Sequence, residues 1–353
     1  MRLLNVECAR GLAALSVVLF HAAAGIHFLY GLDDPTGLAR FGEHGVDFFF
    51  VLSGFIITYV HGRDVGVASK FQPYVLKRVI RLFPLIWIVV VPWIVLRAID
   101  GANHDSFDTV LTSLLLVPSE TEPVPLALWT LRHEVVFYAA FGLLILWKPS
   151  KWLVASWIAA CLCQLALAEL GRPVEGLPSF FLSSFNLQFL LGAVVGYSHT
   201  HMKFRRSVWP FVLGMTAVAL ALTVEGWLGL GRRGVGDYVS PAATAWVLVL
   251  GLAFAVFLHG ILCLPARVSS PRMFVMLGAA SFAIYLVHIP AITILQRGVG
   301  HLPAQLAVVS FVVLVTGSVA VGLLLHLFVE RPVATMLRSK LLRPSGVPLV
   351  HTT

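Results

Sequence analysis

Residues 10–30 read RGLAALSVVLFHAAAGIHFLY, and the reading of this stretch decides the fold. It imitates a signal peptide: Arg2 and Arg10 flank a polar start, and GLAALSVVLF then leads to the small-residue run AAAG. The apolar run nevertheless continues through HFLY to Tyr30. A helix needs about 20 apolar residues to cross the hydrocarbon of a bilayer, so this segment is long enough to span and is read as an uncleaved first helix. The same ruler gives further spans at 45–61, 79–99, 128–147, 152–170, 179–198, 207–228, 241–262, 274–296 and 305–329. The apolar stretch at 109–118 is too short and reads as re-entrant or interfacial.

The rest of the 353-residue chain agrees. Hydrophobic residues make up 58% and charged residues 12%, with a mean hydropathy of +0.89. Soluble proteins carry about 25% charged residues, so most of this surface must face lipid. The net charge of +8 reads as basic loops of a membrane protein rather than a nucleic-acid surface. Cys8, Cys161, Cys163 and Cys263 form no CxxC pair, and they read as buried free thiols without disulfides or a metal site. The expectation is an all-α, polytopic bundle of about ten transmembrane helices: one domain over 1–335 and a short cytoplasmic tail over 336–353.

Lys and Arg set the orientation. Arg2 and Arg10, then Arg63, Lys70, Lys77, Arg78 and Arg81, then Lys148 and Lys151, all fall on one side. Lys203, Arg205, Arg206, Arg267, Arg272, Arg331, Arg338, Lys340 and Arg343 join them, which makes 18 of the 25 basic residues. The turn between spans three and four is instead acidic, with Asp100, Asp105, Asp108, Glu120 and Glu122. Both termini are therefore expected in the cytoplasm.

Titratable groups inside spans cost about 2.5–3.5 kcal/mol each to insert, so they are candidates for function. They are Arg10, His21, Asp47, Arg81, Glu134, Glu225, His259, His288, His326 and Glu330. His21 lies about 16 Å along the first helix from Arg10, on the same face, so one elongated ligand could touch both. Counting rises from the span ends puts His21, Ser53, Glu134 and His288 in one layer near the midplane. Arg78 and Arg81 share a face at the cytoplasmic mouth, where they could hold a polyanion or simply anchor the helix to headgroups. Plainer readings stand beside these: His259 and His326 as hydrogen bonds to neighbouring helices, Asp47 as a cap of span two, and FFFVLSGF at 48–55 as packing around a small Ser-Gly notch.

Six segments together resemble a known family. They are ARGLAALSVVLFHA, with ten residues between Arg10 and His21, GVDFFFVLSGFII, KRVIRLFPLIW at 77–87, LWTLRHEVVFY at 128–138, SFAIYLVHIP at 281–290 and FVERP at 328–332. In this order on ten spans, the chain resembles the acyltransferase-3 group of membrane acyltransferases. The resemblance implies transfer of an acyl group, commonly acetyl from acetyl-CoA, to a hydroxyl of a cell-surface carbohydrate or polysaccharide, in a bacterial inner membrane. It implies that Arg10 and His21 are the essential pair and that Arg78 and Arg81 help hold the donor. Glu134 corresponds to the glutamate of the family's tryptophan-leucine-glutamate stretch, from which Thr130, Arg132 and His133 depart. Supporting roles are expected for Asp47, Ser53, Trp129, Tyr138, Tyr285, His288 and Glu330. Some members carry a further hydrolase-like domain after an eleventh span; ten spans here imply a one-domain mechanism. Acyl-CoA is then a co-substrate, with no permanently bound cofactor, no metal and no nucleic-acid partner.

The chemistry fits. A hydroxyl is a poor nucleophile, and a histidine can take its proton as it attacks a thioester. His21 is the expected general base, oriented by Glu134 or Asp47, with oxyanion donors from Ser53-Gly54 backbone amides or His288. Covalent relay through Ser53 is the lesser alternative. A transporter or flippase would use midplane titratable groups equally well, but no paired halves are found. Acetyl-CoA hydrolysis or transfer separates the two classes.

Overall fold

Apolar runs of transmembrane length leave every backbone polar group to be satisfied within its own segment, and helices do this. The computed structural model describes residues 4–342 apart from 33, 35–36, 102–104, 149–150, 173, 231–240 and 266–270. Side chains at 169 and 241–244 are also outside it, as are Arg2, Arg267 and Arg343 from the loop reading. No strand occurs among the described residues. Ten helical segments are long and apolar enough to cross a membrane.

The helices are α1 (Leu4–Tyr30), α2 (Gly45–His61), α3 (Phe71–Ile99), α4 (Phe107–Leu115), α5 (Leu128–Leu146), α6 (Lys151–Glu169) and α7 (Leu177–Phe181). They continue with α8 (Ser184–His201), α9 (Trp209–Leu228), α10 (Pro241–Cys263), α11 (Arg272–Ala279), α12 (Ser281–Val299), α13 (Ala307–Leu325) and α14 (Arg331–Leu341). The short stretch at 109–118 is α4, which Ser106 caps by accepting from the Thr109 amide at 3.1 Å. Two expected single spans are broken. Residues 179–198 split into α7 and α8, with Ser183 capping α8, and 274–296 split at Ala280 into α11 and α12. After α13 one π-helical turn, His326–Glu330, leads straight into α14. The helix therefore continues past the expected span end at 329 to Leu341, with Pro332 just after the π-helical turn.

Two close crossings place the interior. A methyl group at Gly54 would lie 1.8 Å from the Phe189 carbonyl oxygen, and one at Gly192 equally close to that of Val51. Helices α2 and α8 thus touch backbone to backbone through small residues, which gains dispersion contact where lipid removes the hydrophobic drive. The Ser-Gly notch is therefore a packing surface on its glycine side. The second crossing joins α1 to α11: a methyl at Gly278 would lie 1.8 Å from the Glu7 carbonyl oxygen, and one at Gly11 2.7 Å from that of Phe274. It brings Arg10 beside the break at Ala280 and the start of α12.

Candidate functional site

A cavity lies between α1, α2, α3, α5 and α12. Its polar lining is Arg10, Ser53, Arg81, Thr130, Glu134, Ser281 and Tyr285; Phe49, Phe50, Ile56 and Phe282 are among its apolar walls. These seven polar groups arrive from five different helices, which is why spacing along the chain cannot reveal the set.

One wall is cationic. Arg10 is 9% exposed and donates to both Glu7 carboxylate oxygens, at 2.9 and 3.1 Å. Arg81 faces it closely enough for the two charges to repel, within reach also of Glu134 and Glu330. The Nε of Arg81 and the Nε of Arg78 are buried without a hydrogen-bond partner. Arg78 lies over the rings of Tyr74 and Tyr138, at 5.7 and 5.4 Å, and Arg81 over Phe282 at 5.9 Å. The first turn of α12 opens on the same space: Ser281 is 1% exposed and its hydroxyl has no partner. Amides at a helix start carry partial positive charge. Two guanidiniums and a helix start around one space make a site for an anionic group.

The opposite wall holds Glu134. Ser53 donates to its Oε1 at 2.9 Å, and the Tyr138 hydroxyl donates to the same oxygen. Tyr285 closes the third side: its hydroxyl is 2.8 Å from that of Thr130 and donates to the Ala127 carbonyl at 3.2 Å.

His21 does not line this cavity. Its ring packs on that of His288, with centroids 4.9 Å apart, and His288 in turn lies 5.4 Å from the Tyr285 ring. His288 is fully buried; Nδ1 bonds to the Tyr285 carbonyl oxygen, and Nε2 has no partner among the described residues. An imidazole donating from Nδ1 leaves Nε2 as a bare acceptor. The expected midplane layer is thus two pairs, Ser53 with Glu134 and His21 with His288; Tyr285 lines the cavity with the first and packs against His288 of the second.

The carboxylates expected to orient His21 are engaged elsewhere. Glu134 holds Ser53 and Tyr138, as above. Asp47 is fully buried in the first turn of α2. It takes hydrogen bonds from His44 Nδ1 at 3.0 Å and Gln188 Nε2 at 2.7 Å, and His44 Nε2 reaches Glu225 at 2.8 Å. Asp47 thereby ties α2 to α8 and, through His44, to α9. Trp129 lies in an aromatic cluster with Phe50, His133 and Phe185, outside the cavity lining. Glu330 pairs with His326 at 2.7 Å within one turn and faces a second hollow, shared with Arg81 and Arg338. That pairing stays on its own helix, where the sequence suggested a neighbour for His326.

Sequence reasoning missed Thr130 and Ser281 as cavity residues. The signal for Ser281 was the small-residue run GAAS before FAIYLVH, which marks a helix start inside an apolar stretch. Arg132 is only 1% exposed and donates to the carbonyls of Ser119 and Thr121 at 3.2 and 2.6 Å and to the Thr112 hydroxyl at 3.1 Å. It straps the segment after α4 onto α5.

Fold and site together describe a polytopic, all-helical membrane protein with a buried polar cavity. The acyltransferase domain of the acyltransferase-3 family matches residues 3–327, and the chain belongs to that family. It is 28% identical over 330 residues to the exopolysaccharide production protein ExoZ of Rhizobium meliloti (strain 1021), covering 89% of this chain and 94% of that protein. It is 24% identical over 317 residues to YrhL of Bacillus subtilis (strain 168), a proposed peptidoglycan O-acetyltransferase; the match covers 81% of this chain and 48% of YrhL, so the chain spans about half of that relative. No solved structure matches.

Proposed function

We propose that the protein is a membrane O-acyltransferase that moves an acyl group, acetyl in the first instance, from acyl-CoA at the cytoplasmic face to a hydroxyl of a carbohydrate acceptor, in a bacterial inner membrane. The observation that carries this reading is the cavity, with an anion site at one wall and a bridge through Tyr285 to the His21–His288 pair. Arg10, Arg81 and the first turn of α12 attract the phosphates of the donor, and Arg78 stands behind them. The acceptor hydroxyl gives its proton to His21 as its oxygen attacks the thioester carbon. The carbon–sulfur bond then breaks, and the proton passes to the departing thiolate. The Nε2 of His288 is a bare acceptor beside the His21 ring; turned toward it, a His21 N–H would bond there and leave the other ring nitrogen basic, which is the service a carboxylate performs in other histidine sites. Glu134, with Ser53 and Tyr138, positions the acceptor. The names of ExoZ and YrhL, which refer to exopolysaccharide and peptidoglycan, support a glycan acceptor.

The test is transfer of labelled acetyl from acetyl-CoA by the purified protein in lipid nanodiscs, with mass spectrometry of surface glycans from cells with and without it. Absence of any acyl transfer or acetyl-CoA hydrolysis would leave the transporter reading standing.

Two further results are expected. Replacing Arg78 and Arg81 together by Gln raises the donor KM by at least about tenfold and flattens its salt dependence, because charge-assisted contacts to phosphate are lost. Acceptor KM changes less. Donor titrations that overlay the wild type would reduce both arginines to anchors. Second, the basic turns support cytoplasmic termini, and on that reading, in a cysteine-free background, Ser106→Cys labels with an impermeant maleimide in intact cells and Met202→Cys does not. Both positions are exposed. The reverse pattern would take the anion site away from the compartment that holds CoA esters.

A further inference from the structure

Outside the cavity, the ends of α8 and α10 bring together three groups that no step above uses. His199 Nε2 lies 3.1 Å from His259 Nδ1, and His259 Nε2 lies 3.6 Å from the Cys263 sulfur. One donor atom from each of the three residues falls within 4.8 Å of the others. His259 and Cys263 are four residues apart on α10 and so share a face, while His199 is 60 positions away on α8. Phe204 packs against both imidazoles, at 4.7 and 4.8 Å, and Cys263 is 2% exposed. Arg206, whose charge reaches His199 and Cys263, is held by the carbonyls of Leu262 and Leu264 at 2.7 and 3.2 Å.

We infer that His199, His259 and Cys263 form a site for a thiophilic divalent metal ion of the zinc type. Two imidazoles and a thiolate are a donor set that zinc takes, with bonds of about 2.0–2.3 Å and a fourth position left to water. Tetrahedral bonds of that length place ligand atoms about 3.3–3.8 Å apart, so the widest pair need close by only about 1 Å. One imidazole ring turn achieves this. Binding displaces the thiol proton to solvent, and the metal replaces the present chain of hydrogen bonds between the two helices. An apolar ring over the imidazoles excludes water and strengthens the ligation. A four-residue His-to-Cys spacing alone would not point to metal; the third ligand exists only in the fold.

The experiment uses the full-length protein in detergent, purified without a polyhistidine tag, together with Cys263→Ser and His199→Gln. Each is loaded with Zn²⁺, desalted and assayed for bound metal by mass spectrometry, and separately titrated with Co²⁺ as the optical probe. The wild type should retain one Zn²⁺ per chain, melt at a higher temperature with the metal, and show a thiolate-to-cobalt charge-transfer band. Cys263→Ser should lose the band, and either variant should bind at least about tenfold more weakly. Should Cys263→Ser fail to fold, His199→Gln carries the same comparison. Equal zinc retention by wild type and His199→Gln, or a cobalt complex without the thiolate band, would overturn the site.

Discussion

His21→Ala is expected to lower acyl transfer by about 10²–10⁴-fold, the range that loss of a positioned general base produces. The protein should still fold, because His21 makes no hydrogen bond among the described residues and its aromatic contacts are with Phe20 and His288. Donor KM should change little, since the anion site lies at Arg10 and Arg81, away from this ring. Retention of more than about a tenth of the activity would remove His21 from the chemistry, because base removal costs at least about 10²-fold. The neighbour gives a second measurement. His288→Phe keeps a buried ring but removes the acceptor nitrogen, and a misplacement of this kind costs about 10²-fold. The loss should appear in kcat, with a displaced pH profile and an unchanged donor KM. A purely structural His288 would instead show lower melting temperature with an unmoved profile.

The second large effect is structural. Gly192→Val is expected to abolish the folded protein or lower its melting temperature sharply. Its first side-chain carbon would sit 1.8 Å from the Val51 carbonyl oxygen, where only separation of α2 from α8 could make room. Overpacking of a core costs about 1–3 kcal/mol when side chains can shift, and here the obstacle is backbone. The same shift would move Ser53, next to Gly54, away from Glu134, so any surviving protein should also be a poorer catalyst. Gly298→Ala is the control, since nothing lies within 4 Å of the added methyl. Size-exclusion profiles and thermal melts in detergent make the comparison. A well-behaved Gly192→Val protein with an unchanged melt would mean that the α2–α8 crossing is looser than described here.

Composition and run length were enough for the class of fold. Lipid exposes no polar partner for the backbone, so a chain with 12% charge and ten apolar runs has one architecture open to it. Span limits were legible for the same reason: α2 runs over Gly45–His61 as its apolar run does. The motif residues were legible as rare, costly groups in apolar surroundings, which is how Arg10, His21, Glu134 and His288 were found. Breaks in a span were harder to read: the small-residue run GAAS is the one signal, Ala280 is as apolar as its neighbours, and glycine contacts hold α11 against α1 just before α12 starts.

Partnership was the other thing that only the tertiary structure decided. Heights along separate helices put His21, Ser53, Glu134 and His288 at one depth, but rotation about each helix axis chooses which of them meet. That rotation is set by the glycine crossings and by Asp47 bonded to Gln188, none of which has a periodic signature. Hence Glu134 went to Ser53 and Tyr138, and His21 to His288. His199 reached His259 and Cys263 by the same route, since depth follows from the length of one helix and contact requires two.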